Sequence, residues 1–139
     1  MITEASFLLG RDYCDGPYTE DFIKDLMLEL TKFGCKKIVL TGVHFNSDDV
    51  GAASYDSESN IFEFALEKRV EGFYHGTGDV FASTIIAGLL NDKTLSEATK
   101  IAVDFTEKAI KRTHDAGLDT KYGVLFEKEI AGLIKTLNL

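Results

Sequence analysis

An α/β fold with an incomplete sheet, a β-hairpin and several covering helices is the architecture this sequence predicts, on three observations. Apolar residues recur at helical spacing, at Phe22, Leu26, Leu30 and Phe33 and again at Leu95, Ala98, Ala102, Phe105 and Ala109. Only three short runs, residues 38–40, 50–55 and 61–66, have strand character. Residues 80–90 are apolar or small almost all round. They predict a mostly buried helix and leave more helix surface to cover than the strands supply.

In chain order, residues 3–9 are apolar after Thr3 and Glu4 and read as a short helix ended by Gly10. Thr19 caps the next helix, Glu20 and Asp21 suit its positive end, and Gly34 stops it. Ile38, Val39 and Leu40 follow two lysines and run into Thr41-Gly42, the pattern of a buried strand entering a loop. The polar stretch Asp56-Ser57-Glu58-Ser59-Asn60 joins the next two strands as a hairpin. His75-Gly76-Thr77-Gly78-Asp79 then leads into the apolar helix, in which Ala82, Ser83, Ala87 and Gly88 permit close packing. Thr94-Leu95-Ser96-Glu97 is a capping box opening a longer helix, and a last helix covers about residues 126–137.

A chain of 139 residues predicts a single domain over 1–139, and 45% hydrophobic with 27% charged residues is a globular composition. Fifteen basic against 23 acidic residues give a net charge of −8, which opposes nucleic acid and anionic membrane surfaces as partners. A nucleotide is still compatible, because backbone amides can hold phosphates whatever the net charge. Cys14 and Cys35 are too few for a disulfide framework or a four-ligand zinc site; one bridge between them is conceivable, but they read as buried or idle thiols. No apolar run spans a membrane and no secretory signal opens the chain, so the expected address is cytoplasmic.

The stretch His75-Gly76-Thr77-Gly78-Asp79 is the one place where chemistry is legible. Glycines let successive amide N–H groups converge, and the helix behind adds its positive end, which makes a nest for an anion. A carboxylate at Asp79 beside that nest can take a proton from an attacking hydroxyl while the amides hold a transferring phosphoryl group. The structural alternative is that Asp79 caps the helix and the glycines only turn the chain. His44, His75 and His114 read as packing or surface residues, Asp48, Asp49 and Asp56 as polar turns, and Lys108, Lys111 and Arg112 as a solvated helix face.

The run HGTGDVFASTIIAGLL resembles the C-terminal signature of the ribokinase-like (PfkB-type) small-molecule kinases, and among them most the pyridoxal/pyridoxamine kinases. Met1-Ile2-Thr3-Glu4-Ala5 resembles the tail of that family's Asn-x-x-Glu motif. Lys37-Ile38-Val39-Leu40-Thr41-Gly42-Val43 resembles its threonine-bearing strand, and residues 101–113 resemble the helix lining its nucleotide side. The resemblance implies the C-terminal part of a three-layer kinase fold that transfers the γ-phosphoryl group of ATP to the 5′-hydroxymethyl of pyridoxal, pyridoxamine or pyridoxine. It implies Asp79 as catalytic base, Gly76, Thr77 and Gly78 as the anion hole, and Thr41 and Gly42 against the ATP phosphates. Glu4 would act through water on Mg2+. The adenine pocket would fall between the hairpin and residues 103–113.

Two departures within the superfamily favour the pyridoxal branch. Hydroxymethylpyrimidine kinases tend to carry cysteine at the position of Asp79, and sugar kinases an acidic residue or threonine at that of His75. A third departure concerns extent. Met1 stands where the motif's asparagine belongs, so the substrate-binding N-terminal half of the family is expected to be absent and the isolated chain to turn over little. Helix faces meant for missing strands then predict aggregation or a homodimer. Two alternatives remain open: a hydroxymethylpyrimidine or sugar kinase of the same superfamily, and a non-catalytic nucleotide-binding fragment.

Overall fold

A computed structural model describes all 139 residues. The chain forms two compact units, Met1–Arg69 and Val70–Leu139. In the first, helices α1 (Ile2–Leu8) and α2 (Glu20–Leu30) precede a three-stranded antiparallel sheet of β1 (Lys37–Val43), β2 (Asp49–Asp56) and β3 (Ile61–Lys68), in the order β1-β2-β3. The second unit holds α3 (Thr77–Leu90), α4 (Leu95–Asp115) and α5 (Ile130–Leu137), with short 3-10 turns at Thr120–Tyr122 and Glu127–Glu129.

Local chemistry sets the ends of α2 as the sequence predicts. The Thr19 hydroxyl accepts from the Phe22 amide at 3.2 Å, and Glu20 and Asp21 occupy the first turn. After a 3-10 turn, Gly34 closes the helix at φ +86, a conformation that only glycine takes cheaply. Ile23, Leu26 and Met27 of α2 and Ile2 and Ala5 of α1 pack with Ile38, Leu40 and Val43 of β1 and Ala53 and Tyr55 of β2. Ile38 lies opposite Tyr55 and Leu40 opposite Ala53, so one face of the sheet carries the core. Leu26 is fully buried there, and truncating it to alanine would cost about 2–5 kcal/mol. The opposite face is built of small residues, Ala52 and Ser54 of β2 and Ala65 of β3, all buried.

β1 ends in a bulge. Thr41 pairs with Ala52 and Val43 with Gly51, so Gly42 is an extra residue, and its φ of +81 explains why glycine stands there. The Tyr55 and Phe62 rings stack across the hairpin at 4.0 Å between centroids.

In the second unit α3 and α4 form a helical hairpin. Thr94 and Glu97 make the reciprocal capping box that the sequence predicts. Gly88 packs so closely on α4 that a Cβ there would stand 2.8 Å from the Ala98 Cβ. The Thr113 hydroxyl receives the Leu125 amide at 2.8 Å, and Arg112 pairs with Glu129, which ties the C-terminal segment to α4.

Two expectations need correction. α3 is not mostly buried: Phe81, Thr84, Ile85 and Gly88 form its buried face, while Ile86 and Leu90 are 58% and 78% exposed. A helix in a two-helix hairpin can cover only the side facing its partner, however apolar its other residues are. The last helix begins at Ile130 rather than near 126, because the chain first makes a 3-10 turn over Glu127–Glu129.

Candidate functional site

The turn that the sequence singles out sits at the head of α3. Gly76 is the N-cap residue in the left-handed region, at φ +75, and no side chain caps the helix. The other two helices of more than ten residues do have side-chain caps, from Thr19 and Thr94. The first amides of α3 therefore face outward without a side-chain acceptor, the arrangement that favours an anion. Thr77 turns its hydroxyl away from this point and donates to the Tyr74 carbonyl at 3.3 Å. Asp79 lies in the first turn, exposed and without a hydrogen bond or ion pair. It does not cap α3, and as a first-turn acid it suits the helix's positive end.

Asp79 and Gly76 are among the residues that line a cleft of ≈ 610 Å³ in the second unit. Its walls are Val80, Ser83, Thr84 and Ala87 of α3, Phe105 of α4, and Tyr122, Val124, Phe126, Ile130 and Leu133 of the C-terminal segment. This is a mostly apolar slot of ligand size with carboxylates at Asp79 and Glu127 and no lysine or arginine in its lining. Thr77 and Gly78 are not part of the wall.

The C-terminal contribution was missed by sequence reasoning, which saw residues 126–137 only as a helix. The signal available was the apolar cluster Val124, Leu125 and Phe126 directly after Gly123, which marks a buried segment but not what it lines.

The remaining predicted residues belong to the first unit. Thr41 is half-buried near the end of β1, and Gly42 is the exposed bulge residue next to it. Glu4 lies in the first turn of α1, exposed and ion-paired with the N-terminal ammonium. Thus Gly76, Thr77, Gly78 and Asp79 are brought together on one helical turn, Thr41 and Gly42 on one strand end, and Glu4 stands on a separate helix.

No three His, Cys, Asp or Glu side chains cluster to hold a metal ion. Glu4, paired with the N-terminal ammonium, is a single carboxylate, and Mg2+ takes one or two carboxylates and otherwise phosphate and water oxygens. Asp49 and Asp56, which the sequence places in polar turns, are instead the two end residues of β2. Asp49 pairs with Lys68 and Asp56 with Lys37, and these partners hold both carboxyls below the usual aspartate range. Asn46 closes the turn before β2 by accepting the Asp48 and Asp49 amides. Lys108 and Arg112 are surface ion-pair partners of Asp104 and Glu129. His44 packs edge-on against Tyr18, and Cys14 and Cys35 are free and exposed. No helix is long and apolar enough to cross a membrane.

Residues 2–135 match the phosphomethylpyrimidine kinase family. The hydroxymethylpyrimidine/phosphomethylpyrimidine kinase of Aquifex aeolicus (strain VF5) is 31% identical over 116 residues, covering 84% of this chain and 44% of that protein. Among solved structures, a Bacteroides thetaiotaomicron protein bearing the phosphomethylpyrimidine kinase name superposes with a TM-score of 0.85 at 25% identity, over 99% of this chain and 46% of its own. A second crystal form of that protein was solved with pyridoxal. Pyridoxal kinase from Lactobacillus plantarum superposes with a TM-score of 0.76 at 30% identity, over 96% of this chain and 47% of its own. The chain thus spans about half the length of these relatives, which are kinases by name. The fold they share is the ribokinase-like one that the HGTGD run and its flanks imply. A match across nearly every residue settles the assignment: the chain belongs to the phosphomethylpyrimidine kinase family.

Proposed function

We propose that this chain carries the nucleotide-binding and phosphoryl-transfer part of an ATP-dependent kinase for the 5′-hydroxymethyl group of a vitamin B6 vitamer. One observation carries the reading: Gly76 and Asp79 of the uncapped first turn of α3 line the apolar cleft. The cleft suits a flat, largely apolar base, and the turn suits an anion. The purine is accordingly assigned to the slot between α3, Phe105 and the Tyr122–Leu133 wall rather than to a pocket beside the hairpin.

In the reaction Asp79 takes the proton of the acceptor hydroxyl as its oxygen forms the new bond to the γ-phosphorus, and the β–γ bridging bond breaks to release ADP. The amides of the Gly76–Gly78 turn stabilise charge on the transferring phosphoryl oxygens. Thr41 and Gly42 are assigned to the nucleotide phosphates. Glu4 would hold Mg2+ through water, and the ion would supply neutralisation of the phosphate charge. The setting proposed for this reaction is the cytoplasm.

Pyridoxal in a crystal of a relative and the 30% identity to a pyridoxal kinase support a B6 acceptor. The 31% identity to the Aquifex protein favours a second reading, a hydroxymethylpyrimidine acceptor. Asp79 speaks for the first, since the pyrimidine kinases tend to carry cysteine there. Calorimetric titration with MgATP is the primary test, because nucleotide binding is the step on which the turn and cleft of the second unit bear directly. Saturable binding is expected, and no heat with no thermal stabilisation at millimolar nucleotide removes even the binding role. A phosphotransfer panel of pyridoxal, pyridoxamine, hydroxymethylpyrimidine and a sugar decides the acceptor, and preference for a non-B6 compound overturns that assignment.

A further inference from the structure

A second, smaller cavity of ≈ 120 Å³ shares two walls with the cleft. On α4 it is lined by Ile101, Asp104, Phe105 and Lys108, and on the C-terminal segment by Glu129, Gly132, Leu133 and Thr136. Each set follows the spacing i, i+3, i+4, i+7, so each is one helical stripe, and the cavity is the groove between the two. Phe105 and Leu133 hold the same place in their stripes, and they alone line both cavities. Their side chains therefore form a partition, of which the Phe105 ring is the bulkier half and is buried.

The two sides of the partition differ in chemistry. The cleft is mostly apolar and of ligand size. The small cavity carries charges that already have partners, Asp104 with Lys108 at 2.8 Å and Glu129 with Arg112. Its Thr136 hydroxyl donates to the Gly132 carbonyl at 3.0 Å. Paired in this way, these groups call for no charged ligand. The space of ≈ 120 Å³ is also below the roughly 150 Å³ of a cavity known to take a benzene ring. Gly132 leaves part of it open, since a Cβ there would meet nothing within 4 Å.

We propose that Phe105, backed by Leu133, determines which nucleotide bases the cleft accepts: it ends the slot at the edge of an unsubstituted purine and excludes bases that carry a bulky group on that edge. The proposal rests on the reading of the cleft as the purine slot. In ATP with its phosphates on the α3 turn, the exocyclic N6 edge is the end furthest from the phosphates, and it is this edge that meets the partition. An apolar group added there collides with the Phe105 ring, and the space beyond the ring holds paired charges that gain nothing from it. Truncating Phe105 joins the two cavities and reverses the preference, because the added group then fills the volume that the ring has left.

The test compares the Mg2+ complexes of ATP and N6-benzyl-ATP by calorimetry in the wild type, Phe105→Ala and Phe105→Leu. The wild type is expected to bind ATP at least tenfold more tightly than its benzyl derivative. Phe105→Ala is expected to invert that ratio, a change of at least about a hundredfold. Phe105→Leu keeps more of the core filled, which secures a folded variant, and is expected to shift the ratio at least threefold in the same direction. Adding Gly132→Ala to Phe105→Ala puts a methyl group into the open part of the small cavity and is expected to take back at least threefold of the gain. Equal binding of the two nucleotides by the wild type overturns the proposal. An unchanged ratio in folded Phe105→Leu or Phe105→Ala, with MgATP still bound, removes the partition alone and leaves the purine slot standing. A wild type that binds neither nucleotide overturns the purine slot and this proposal with it.

Discussion

Two glycines two residues apart at the head of α3 are predicted to respond in opposite ways to the same methyl group. Gly76 has φ +75, and nothing but the Gly123 Cα at 3.9 Å would meet a Cβ there, so space is available but the backbone conformation is wrong for alanine. Gly76→Ala should cost about 1–2 kcal/mol, the penalty of a left-handed conformation for an L-residue. Gly78 lies within the helix with ordinary φ and no atom within 4 Å of a Cβ, so Gly78→Ala should stabilise by about 0.4–1 kcal/mol. Urea unfolding should therefore separate the two variants by about 1.4–3 kcal/mol. The nucleotide reverses the advantage of Gly78→Ala, because the methyl stands where phosphate oxygens must approach the amides. At a nucleotide concentration 100 times Kd, ligand stabilises the fold by about 2.7 kcal/mol, and a tenfold weaker complex by about 1.4 kcal/mol. A Gly78→Ala protein that is more stable alone and keeps the full nucleotide-induced shift would refute the placement of the phosphate on this turn.

Three further outcomes follow from the same geometry. Asp79→Asn should lower phosphotransfer by about 10²–10⁴-fold in any active assembly while changing unfolding free energy by no more than about 0.5 kcal/mol, since the carboxylate has no structural partner; a destabilised variant with normal kcat would show it to be structural. Gly88→Ala and Ala98→Gly should be coupled by about 1–3 kcal/mol in a double-mutant cycle, because helix-propensity terms cancel in the cycle and the 2.8 Å approach does not; coupling near zero would mean that α3 and α4 are not in tight contact. Arg11, Lys68, Lys37 and the Thr94 cap hold Glu29, Asp49, Asp56 and Glu97 below their ordinary values. Stability from these groups is present above the unfolded values of 3.8 for aspartate and 4.5 for glutamate and is lost as pH falls through the lower folded ones. The urea midpoint should thus be flat from pH 7 to about 5 and drop below about 4, and less steeply in Asp56→Asn.

What was legible in the sequence was what short-range chemistry decides. Thr19 and Gly34 bound α2, Thr94 and Glu97 open α4, and the hairpin around residues 56–60 is as its polar turn predicts, because each depends on residues within four positions of one another. The HGTGD turn was legible for the same reason, since glycine conformation and a nearby carboxylate are local facts. Exposure was not. Ile86 and Leu90 have the composition of a core helix, yet both are exposed. The cleft was equally hidden, because Phe105 and Val124 are brought together by the return of the chain, fixed in part by the Thr113 hydroxyl on the Leu125 amide. A pattern in one dimension records which faces are apolar but not which faces meet.

The charges around the cleft set a requirement on how a nucleotide can bind at all. Its lining contains Asp79 and Glu127 and no basic side chain, in a protein of net charge −8, so an uncomplexed polyphosphate meets repulsion from both near and far. Arg112, a basic residue on the neighbouring stretch of α4, is committed to Glu129, and recruiting it would leave that carboxylate unpaired. The outward amides of α3 offer about half a positive charge, which is too little to balance a triphosphate alone. Divalent cation should therefore decide binding as well as rate. Titration with ATP in EDTA should give affinity at least tenfold below that with MgATP, and raising ionic strength should narrow the gap by screening the repulsion. Equal affinity with and without Mg2+ would mean that a basic side chain outside the cleft lining supplies the missing charge, and that the amides of the turn are not the principal phosphate site.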